Sequence, residues 1–483
     1  MKRFLAAVFV TVPLLAQQTQ TTPPAPAPPR EAKVPQAVER TLDNGLRVIV
    51  VPKHDNPLVA SRLMIKAGAA SDPRGKAGVA ELTATVLTQG TATRTAEQIA
   101  RGVEALGATL AAGAEWDATS IDVSVMSANL PRAMEFVADV ARNATFAKTE
   151  FTREQAQTID ALQVDLGQPR SVASMVASRL IFGEAPYGNT VAGTPASVQK
   201  IRRDDLVQFH KRHYRPDNAV LVLAGDIKPE AAFALAQRVF GNWRASGAAP
   251  ASATTTVNAN ARPTSRVVIV DMPEAGQSAV VVGRQGIRRA DPAYMQALVA
   301  NSVLGGGYSS RLNQEIRIRR GLSYGAGSAF DPRATVGPFT ARTETKHETA
   351  ADVVGIITGE LRRLSADDVP EAELTPRKAA LIGGFAQSLE TTSGIVDRIA
   401  ALALHGLPLS DIGRYISGVQ SVTAADLRKF ASNNLGSDVN VVVVGDAKQF
   451  EPALRKQFSD VEVISVADLD LSSPTLRVRK AKQ

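Results

Sequence analysis

A chain of 483 residues is too long for one ordinary hydrophobic core and predicts two or more domains. It contains 44% hydrophobic and 21% charged residues, as globular proteins do, and its net charge of +8 is dispersed, so nucleic-acid binding is not indicated. The absence of cysteine excludes disulfides and thiolate zinc sites.

The chain begins with the composition of a secretory signal. Lys2 and Arg3 precede an apolar run through Ala16, which is shorter than the roughly 20 residues that span a bilayer. Residues 17–35 are polar and rich in proline and predict an extended tether. We interpret residues 1–16 as a signal peptide and expect an exported, periplasmic protein without a later transmembrane segment. A retained membrane anchor is the alternative interpretation.

Helix and strand patterns are mixed in the first half of the chain. The predicted strands lie at 44–53, 58–68 and 118–127, and the predicted helices lie at 76–91 and 95–108. The second helix has Thr93 or Thr95 as its N-cap and ends at Gly107. These elements do not follow strict βαβ order, which predicts α+β layers.

One segment of the chain occurs twice. "DDLVQFHKRHYRPDNAVLVLAGDI" (204–227) matches "ADLRKFASNNLGSDVNVVVVGDA" (425–447) at Asp-Leu-x-x-Phe, an apolar strand and Gly-Asp. The offset is 221 residues between Phe209 and Phe430 and 220 residues between Gly225 and Gly445, and this near-constancy favours duplication. Each copy predicts a helix end, a turn and a buried strand that closes its half.

The two halves are separated by a stretch of small and polar residues. Residues 246–265 have the composition of a linker, so we place the domains at 36–245 and 266–475.

Five segments resemble the M16 family of zinc metallopeptidases, which includes insulinase, pitrilysin and the mitochondrial processing peptidase. They are "AGAASDPRGKAGVAELTATVLTQGT" with "RTAEQIARGVEALGA", then "YGNTVAGTPASV", "YRPDNAVLVLAGD" and "GGGYSSRLNQEIRIRRGLSYGAGSAF". The resemblance implies an α+β protein with two homologous M16/LuxS-like α/β-sandwich domains joined by a linker. Each domain is expected to be an antiparallel-rich sheet with helices packed on it.

The zinc motif of that family is eroded in this sequence. The family binds zinc through His-x-x-Glu-His before Gly-Thr and through a glutamate roughly 75 residues later. Anchored on Gly90-Thr91, these positions are Glu81, Ala84, Thr85 and, on the later helix, Ala161. The resemblance therefore implies a chain that binds no metal itself, since Glu81 alone cannot hold zinc.

The remaining histidines offer one weak alternative. The sequence contains His54, His210, His213, His347 and His405. His210 and His213 have the spacing to share a metal, but Lys211 and Arg212 lie between them and would repel a cation. An exposed basic helix end is the favoured interpretation of that stretch.

"RIRRGLSY" contains Arg317 and Tyr324, which match the Arg and Tyr of the second half of M16 enzymes. In the family these side chains bind the scissile carbonyl, whose oxygen becomes an oxyanion. The alternative is that Arg317 pairs with a surface carboxylate and Tyr324 packs at the start of a strand. The adjacent "LGGGYSSRL" predicts a backbone hinge or a loop that contacts peptide.

An eroded zinc motif with a retained Arg-Tyr segment resembles the non-catalytic subunit of heterodimeric M16 peptidases. We predict a heterodimer with an HxxEH-containing M16 subunit, which carries the zinc, and unfolded peptides as substrates that add to a sheet edge. The first alternative is a structural or peptide-binding scaffold like the M16-like core subunits of respiratory complexes. The second is a self-sufficient hydrolase that uses Glu81 with an unrecognised nucleophile.

Overall fold

The computed structural model describes residues 34–245, 247, 264–436 and 438–478. The predicted signal and most of the predicted tether and linker therefore lie outside the described residues. None of the helices in these ranges combines the length and the hydropathy that a bilayer-spanning segment requires.

The folded chain contains two six-stranded sheets and the helices that cover them. The strands of the first sheet are β1 (Val38–Thr41), β2 (Arg47–Pro52), β3 (Leu58–Ile65), β4 (Thr109–Ala114), β5 (Thr119–Met126) and β6 (Ala219–Gly225). Those of the second sheet are β7 (Val267–Asp271), β8 (Ser278–Gln285), β9 (Ala326–Phe330), β10 (Pro338–Thr345), β11 (Asn440–Gly445) and β12 (Glu462–Ser465).

The helices fall into two corresponding groups, one in each half of the chain. The first group is α1 (Val79–Leu87), α2 (Ala96–Glu104), α3 (Leu130–Asn143), α4 (Lys148–Leu166), α5 (Pro169–Phe182), α6 (Pro195–Val198), α7 (Arg203–His213) and α8 (Pro229–Phe240). The second group is α9 (Tyr294–Leu304), α10 (Arg311–Asn313), α11 (Ala350–Ala366), α12 (Glu371–Ser388), α13 (Thr392–Leu404), α14 (Tyr415–Ser421), α15 (Ala424–Asn434) and α16 (Glu451–Gln457). A π-helical segment, Gln314–Arg319, follows α10.

The two sheets have the same topology at five of their six positions, where β2, β6, β3, β5 and β4 of the first correspond to β7, β11, β8, β10 and β9 of the second. The first has the order β1-β2-β6-β3-β5-β4 and the second has the order β12-β7-β11-β8-β10-β9. The sixth strand differs, because β1 pairs with β2 in antiparallel fashion whereas β12 pairs with β7 in parallel fashion. The predicted α+β class and the two sandwich domains are confirmed.

The repeated segment forms the same unit in each half, α7 followed by β6 and α15 followed by β11. Both strands are buried along their whole length, as their apolar composition predicts. Strand β6 is the last strand of the first half, as expected, and only α8 follows it. The expectation is wrong for β11, because α16 and β12 follow it. Both strands lie inside their sheets.

Other local predictions agree with the structure to within a few residues. Thr95 is the N-cap of α2, where it forms a reciprocal capping box with Gln98. Strand β5 alternates buried and more exposed side chains, with Ile121, Val123 and Val125 buried. Helix α2 ends at Glu104, three residues before Gly107, where its end was predicted.

The hydrophobic cores of the two halves are shared through two exchanged helices. Helix α5 of the first half packs on β8 and β11 of the second sheet. Helix α13 of the second half packs on β3 and β6 of the first sheet. Arg62 on β3 pairs with Asp397 on α13 at 2.9 Å. The halves therefore hold each other in one compact unit.

The turns of the two edge hairpins also meet. Arg333, in the turn between β9 and β10, lies 4.0 Å from the ring centroid of Trp116 and 4.7 Å from that of Tyr187. The Asp117 carboxylate accepts a hydrogen bond from the Ala334 N–H at 2.9 Å. These contacts fix the edge of one sheet relative to the edge of the other.

Candidate functional site

Helix α1 carries the eroded zinc motif and is held at its start by a buried carboxylate. Asp72 accepts hydrogen bonds from the N–H groups of Gly78 at 2.7 Å and Ala80 at 2.8 Å. Burial raises the pKa of Asp72 to about 7, although these hydrogen bonds oppose the shift. Gly78 has φ of +104°, and a Cβ there would lie 2.7 Å from the Ala192 carbonyl oxygen. Glycine is thus required where the chain enters this helix.

Two of the three motif positions on α1 carry side chains that hydrogen-bond to backbone groups. Glu81 accepts a hydrogen bond from the Ala114 N–H of β4 at 2.7 Å. Burial raises the pKa of Glu81, and the Ala114 N–H opposes that shift. Thr85 donates to the Glu81 carbonyl oxygen at 3.0 Å, one helical turn earlier. Ala84 is fully buried.

The fourth motif position, Ala161, is exposed on α4, a helix that packs against α1. The donor set at the four positions is therefore one carboxylate, one hydroxyl and two methyl groups. Catalytic zinc takes three protein ligands of the imidazole, thiolate or carboxylate type. These residues do not fit zinc. Across the described ranges there is no group of three or more His, Asp or Glu side chains that could hold a metal.

The paired histidines of α7 serve the core of the first half. His210 Nε2 lies 2.8 Å from the Ala141 carbonyl oxygen, and burial lowers the pKa of its imidazole. His213 is buried, and burial together with the charge of Arg212 lowers its pKa to about 4. The prediction of an exposed basic helix end is wrong for these imidazoles, although Lys211 and Arg212 are exposed.

A third cluster has the residue types of a hydrolytic triad but a different connectivity. His54 Nδ1 lies 2.8 Å from Asp226 Oδ1, and the Ser127 hydroxyl donates to Asp226 Oδ2 at 3.0 Å. The carboxylate thus separates the serine from the imidazole, whereas a triad needs the imidazole between the two. This geometry gives no support to a self-sufficient hydrolase.

Strand β4 presents a free edge beside α1. Among the described residues it pairs only with β5, and the Glu115 N–H donates to the Ala118 carbonyl oxygen on the β5 side. Main-chain groups alternate in direction along a strand, so Leu110, Ala112 and Ala114 point their N–H groups away from β5. The Glu81 carboxylate accepts the N–H of Ala114. The N–H groups of Leu110 and Ala112 have no hydrogen-bond partner in the described part of the chain.

The equivalent edge of the second sheet is more nearly closed. By the same alternation, β9 directs the N–H groups of Ala326, Ser328 and Phe330 outward. The Asn313 side chain accepts the first at 3.3 Å and the Gly305 carbonyl oxygen accepts the second at 3.0 Å, which leaves only that of Phe330 without a partner among the described residues. The first sheet therefore offers the more accessible edge for an added strand.

A groove of about 500 Å³ lies between α2 and the open edge. Its floor is apolar, with Ile99, Val103 and Leu110 among the lining residues, and Glu97 and Glu104 also line it. A strand added to β4 would direct every second side chain toward this groove. The arrangement suits an extended peptide with a large apolar residue.

Arg317 and Tyr324 lie in the second half, in the loop region that leads into β9. Arg317 is in the π-helical segment, with its guanidinium carbon 5.1 Å from the ring centroid of Tyr308. It forms no ion pair with any carboxylate in the described ranges. Tyr324 is 89% exposed. No hydrogen bond, ion pair or ring contact in those ranges joins either residue to α1.

Two features of the candidate site, one in each half of the chain, were not predicted from the sequence. Tyr308, which is 65% exposed, holds Arg317 through its ring. Its position in "LGGGYSSRL" was the available signal, since that loop was predicted to be a backbone hinge or to contact peptide. The hydrogen bond of Glu81 to β4 had no sequence signal, because 33 residues separate its partners.

Family models match most of the folded chain. The model described as "Insulinase (Peptidase family M16)" matches residues 47–195, and "Peptidase M16 inactive domain" matches residues 200–381. Together these ranges cover more than half of the chain.

The chain is also similar to curated proteins and to solved structures. A protein of Mycobacterium tuberculosis named as an uncharacterized zinc protease is 29% identical over 426 residues, covering 87% of this chain and 95% of the relative. The crystal structure of a peptidase M16 inactive domain from Pseudomonas fluorescens superposes with a TM-score of 0.79 at 27% identity, covering 85% of this chain and 98% of the other. A chain of Complex III2 from Candida albicans shares the fold, with a TM-score of 0.73 at 18% identity over 86% of this chain and 97% of the other.

Proposed function

This chain belongs to peptidase family M16, and from that premise we propose that it is an exported, zinc-free subunit that completes a peptidase together with an HxxEH-containing M16 partner. In this proposal the partner holds the zinc and the general base. This chain supplies Arg317 and Tyr324 to bind the scissile carbonyl of an unfolded peptide.

The availability of Arg317 and Tyr324 is the observation that carries the proposal. A structural role would place Arg317 against a surface carboxylate and pack Tyr324 at the start of a strand. Instead Tyr324 is 89% exposed, and Arg317 lies over the exposed ring of Tyr308 without an ion pair among the described residues. Both donors are therefore free to reach a substrate held by a second chain.

The open edge of β4 supports peptide as the ligand. Two unpartnered N–H groups, with an apolar groove beside them, provide main-chain hydrogen bonds and a site for one side chain. Main-chain recognition tolerates many sequences, which suits a peptidase for unfolded chains.

Affinity capture of the tagged full-length protein from its own cell envelope tests the proposal. We expect a partner of similar size that bears His-x-x-Glu-His, recovered in a 1:1 ratio. The mixed complex should hydrolyse an unfolded peptide that neither chain hydrolyses alone. Recovery of this chain without such a partner would contradict the proposal, as would full activity of the partner by itself.

Replacing Ala112 by proline should weaken peptide binding by about tenfold. Proline removes only the outward N–H of Ala112, so the ladder to β5 is retained and the fold should tolerate the change on this edge strand. The loss of this one main-chain hydrogen bond corresponds to at most about 1.5 kcal/mol. Fluorescence anisotropy with a labelled unfolded peptide measures the affinity. Ala112→Val is the control, because it adds comparable bulk and keeps the donor; equal weakening in both variants would argue against strand addition.

A non-enzymatic scaffold is the second candidate function. The shared fold with a chain of Complex III2 is the observation that favours it. Under this hypothesis the captured partners would be membrane-complex subunits without His-x-x-Glu-His, and substitution of Arg317 or Tyr324 would leave peptide hydrolysis in the envelope unchanged.

A further inference from the structure

A second pocket lies in the helical layer of the second half, away from the open edge. It has a volume of about 270 Å³ and is formed by α9, α12, α13, α14, the segment before α9 and the 3-10 helix Leu409–Arg414 before α14. The aromatic rings of Phe385 and Tyr415 stack in it, with centroids 4.2 Å apart and planes inclined by 15°. Met295, Leu402 and Ile412 complete an apolar lining.

Two guanidinium groups border this pocket without a balancing carboxylate. The Arg398 guanidinium lies 5.3 Å from the Phe385 centroid and 5.6 Å from the Tyr415 centroid, and its Nε donates to the Ser388 hydroxyl at 3.1 Å. Arg289 lies 3.8 Å from the centroid of Tyr294, which also lines the pocket. In the described ranges neither arginine takes part in an ion pair.

The remaining charges of the lining cancel each other. Arg414 and Asp411 both face the pocket and pair at 3.1 Å. Arg289 and Arg398 therefore give the pocket a net positive charge. Burial raises the pKa of the Tyr415 phenol, and the positive charges of Arg398 and Arg289 oppose that shift.

We propose that this pocket binds a small aromatic carboxylate, such as an aromatic amino acid or the C-terminal aromatic residue of a peptide. The ring would lie against Phe385 and Tyr415, and the carboxylate would accept hydrogen bonds from Arg398 and Arg289. Planar guanidinium groups suit bidentate recognition of a carboxylate, and apolar walls with a few convergent polar groups are typical of small-molecule sites. The site is independent of the proposed peptidase partnership, because every residue that forms it belongs to this chain.

Isothermal titration calorimetry on the full chain with N-acetyl-L-phenylalanine tests the site. We expect saturable 1:1 binding, at least tenfold weaker binding of N-acetyl-L-phenylalaninamide, and at least tenfold weaker binding of the acid to Arg398→Gln and to Arg289→Gln. The second variant keeps the test valid if Arg398→Gln does not fold. Arg288→Gln is the matched control, since this neighbouring exposed arginine does not line the pocket. No binding of the acid, equal binding of acid and amide, or equal losses in the control would each overturn the proposal. Phenyl phosphate distinguishes a carboxylate site from a general anion site, and tighter binding of the phosphate would also overturn it.

Discussion

Replacing Arg317 by methionine should lower kcat for peptide hydrolysis by the mixed complex about a hundredfold, and Tyr324→Phe should lower it to a similar extent. Each change removes one fixed donor to the oxyanion that forms when water attacks the scissile carbonyl, and the loss of one such donor typically costs about 3 kcal/mol. The effect should fall mainly on kcat, because the donors act on charge that develops in the transition state.

Assembly of the complex should be unchanged in both variants, since Tyr324 is 89% exposed and the Arg317 guanidinium, which lies over the Tyr308 ring, forms no ion pair in the described ranges. Steady-state kinetics on complexes purified at equal stoichiometry measures the effect. Arg319→Met is the matched control, because Arg319 belongs to the same π-helical segment but pairs with Glu315. Wild-type rates for both Arg317→Met and Tyr324→Phe would mean that neither side chain takes part in catalysis, and would favour the scaffold hypothesis.

The local structure around the site could be predicted from the sequence. The apolar composition of residues 79–87 predicts a buried helix, and the alternation of residues 119–126 predicts a half-buried strand. The duplicated segment predicted the two-domain organisation, because a near-constant offset indicates repeated structure. The helix and strand patterns depend only on neighbouring residues, and the repeat depends only on comparing two segments, so none of these signals requires tertiary contacts.

The contacts that define the site depend on long-range geometry. Glu81 meets Ala114 because α1 packs against β4, and no periodicity encodes that approach. The packing of α5 and α13 on the sheet of the opposite half could not be predicted either. An apolar helix face predicts burial, but it does not indicate which sheet covers it. Similarly, the ring of Tyr308 beneath Arg317 follows from the fold of the glycine-rich loop.

Three substitutions should give this chain a zinc site. Glu81→His and Thr85→His place two imidazoles one turn apart on α1, and Ala161→Glu adds a carboxylate from the packed helix α4. We expect a change from no measurable binding to a Kd of about 1 μM, which corresponds to about 8 kcal/mol. Competition with a chromogenic zinc chelator measures the affinity, and circular dichroism with and without metal checks that the fold is retained.

The position of the third ligand makes this prediction specific. Ala156 is also exposed on α4, but at 100° per residue it lies on a different side of the helix from Ala161. The triple variant with Ala156→Glu in place of Ala161→Glu should therefore bind zinc at least tenfold more weakly. Hydrolysis is not expected from either variant, because Ala84 supplies no general base. Equal affinity in the two triple variants would mean that α4 does not present Ala161 to α1, and the assignment of the eroded ligand positions would then be wrong.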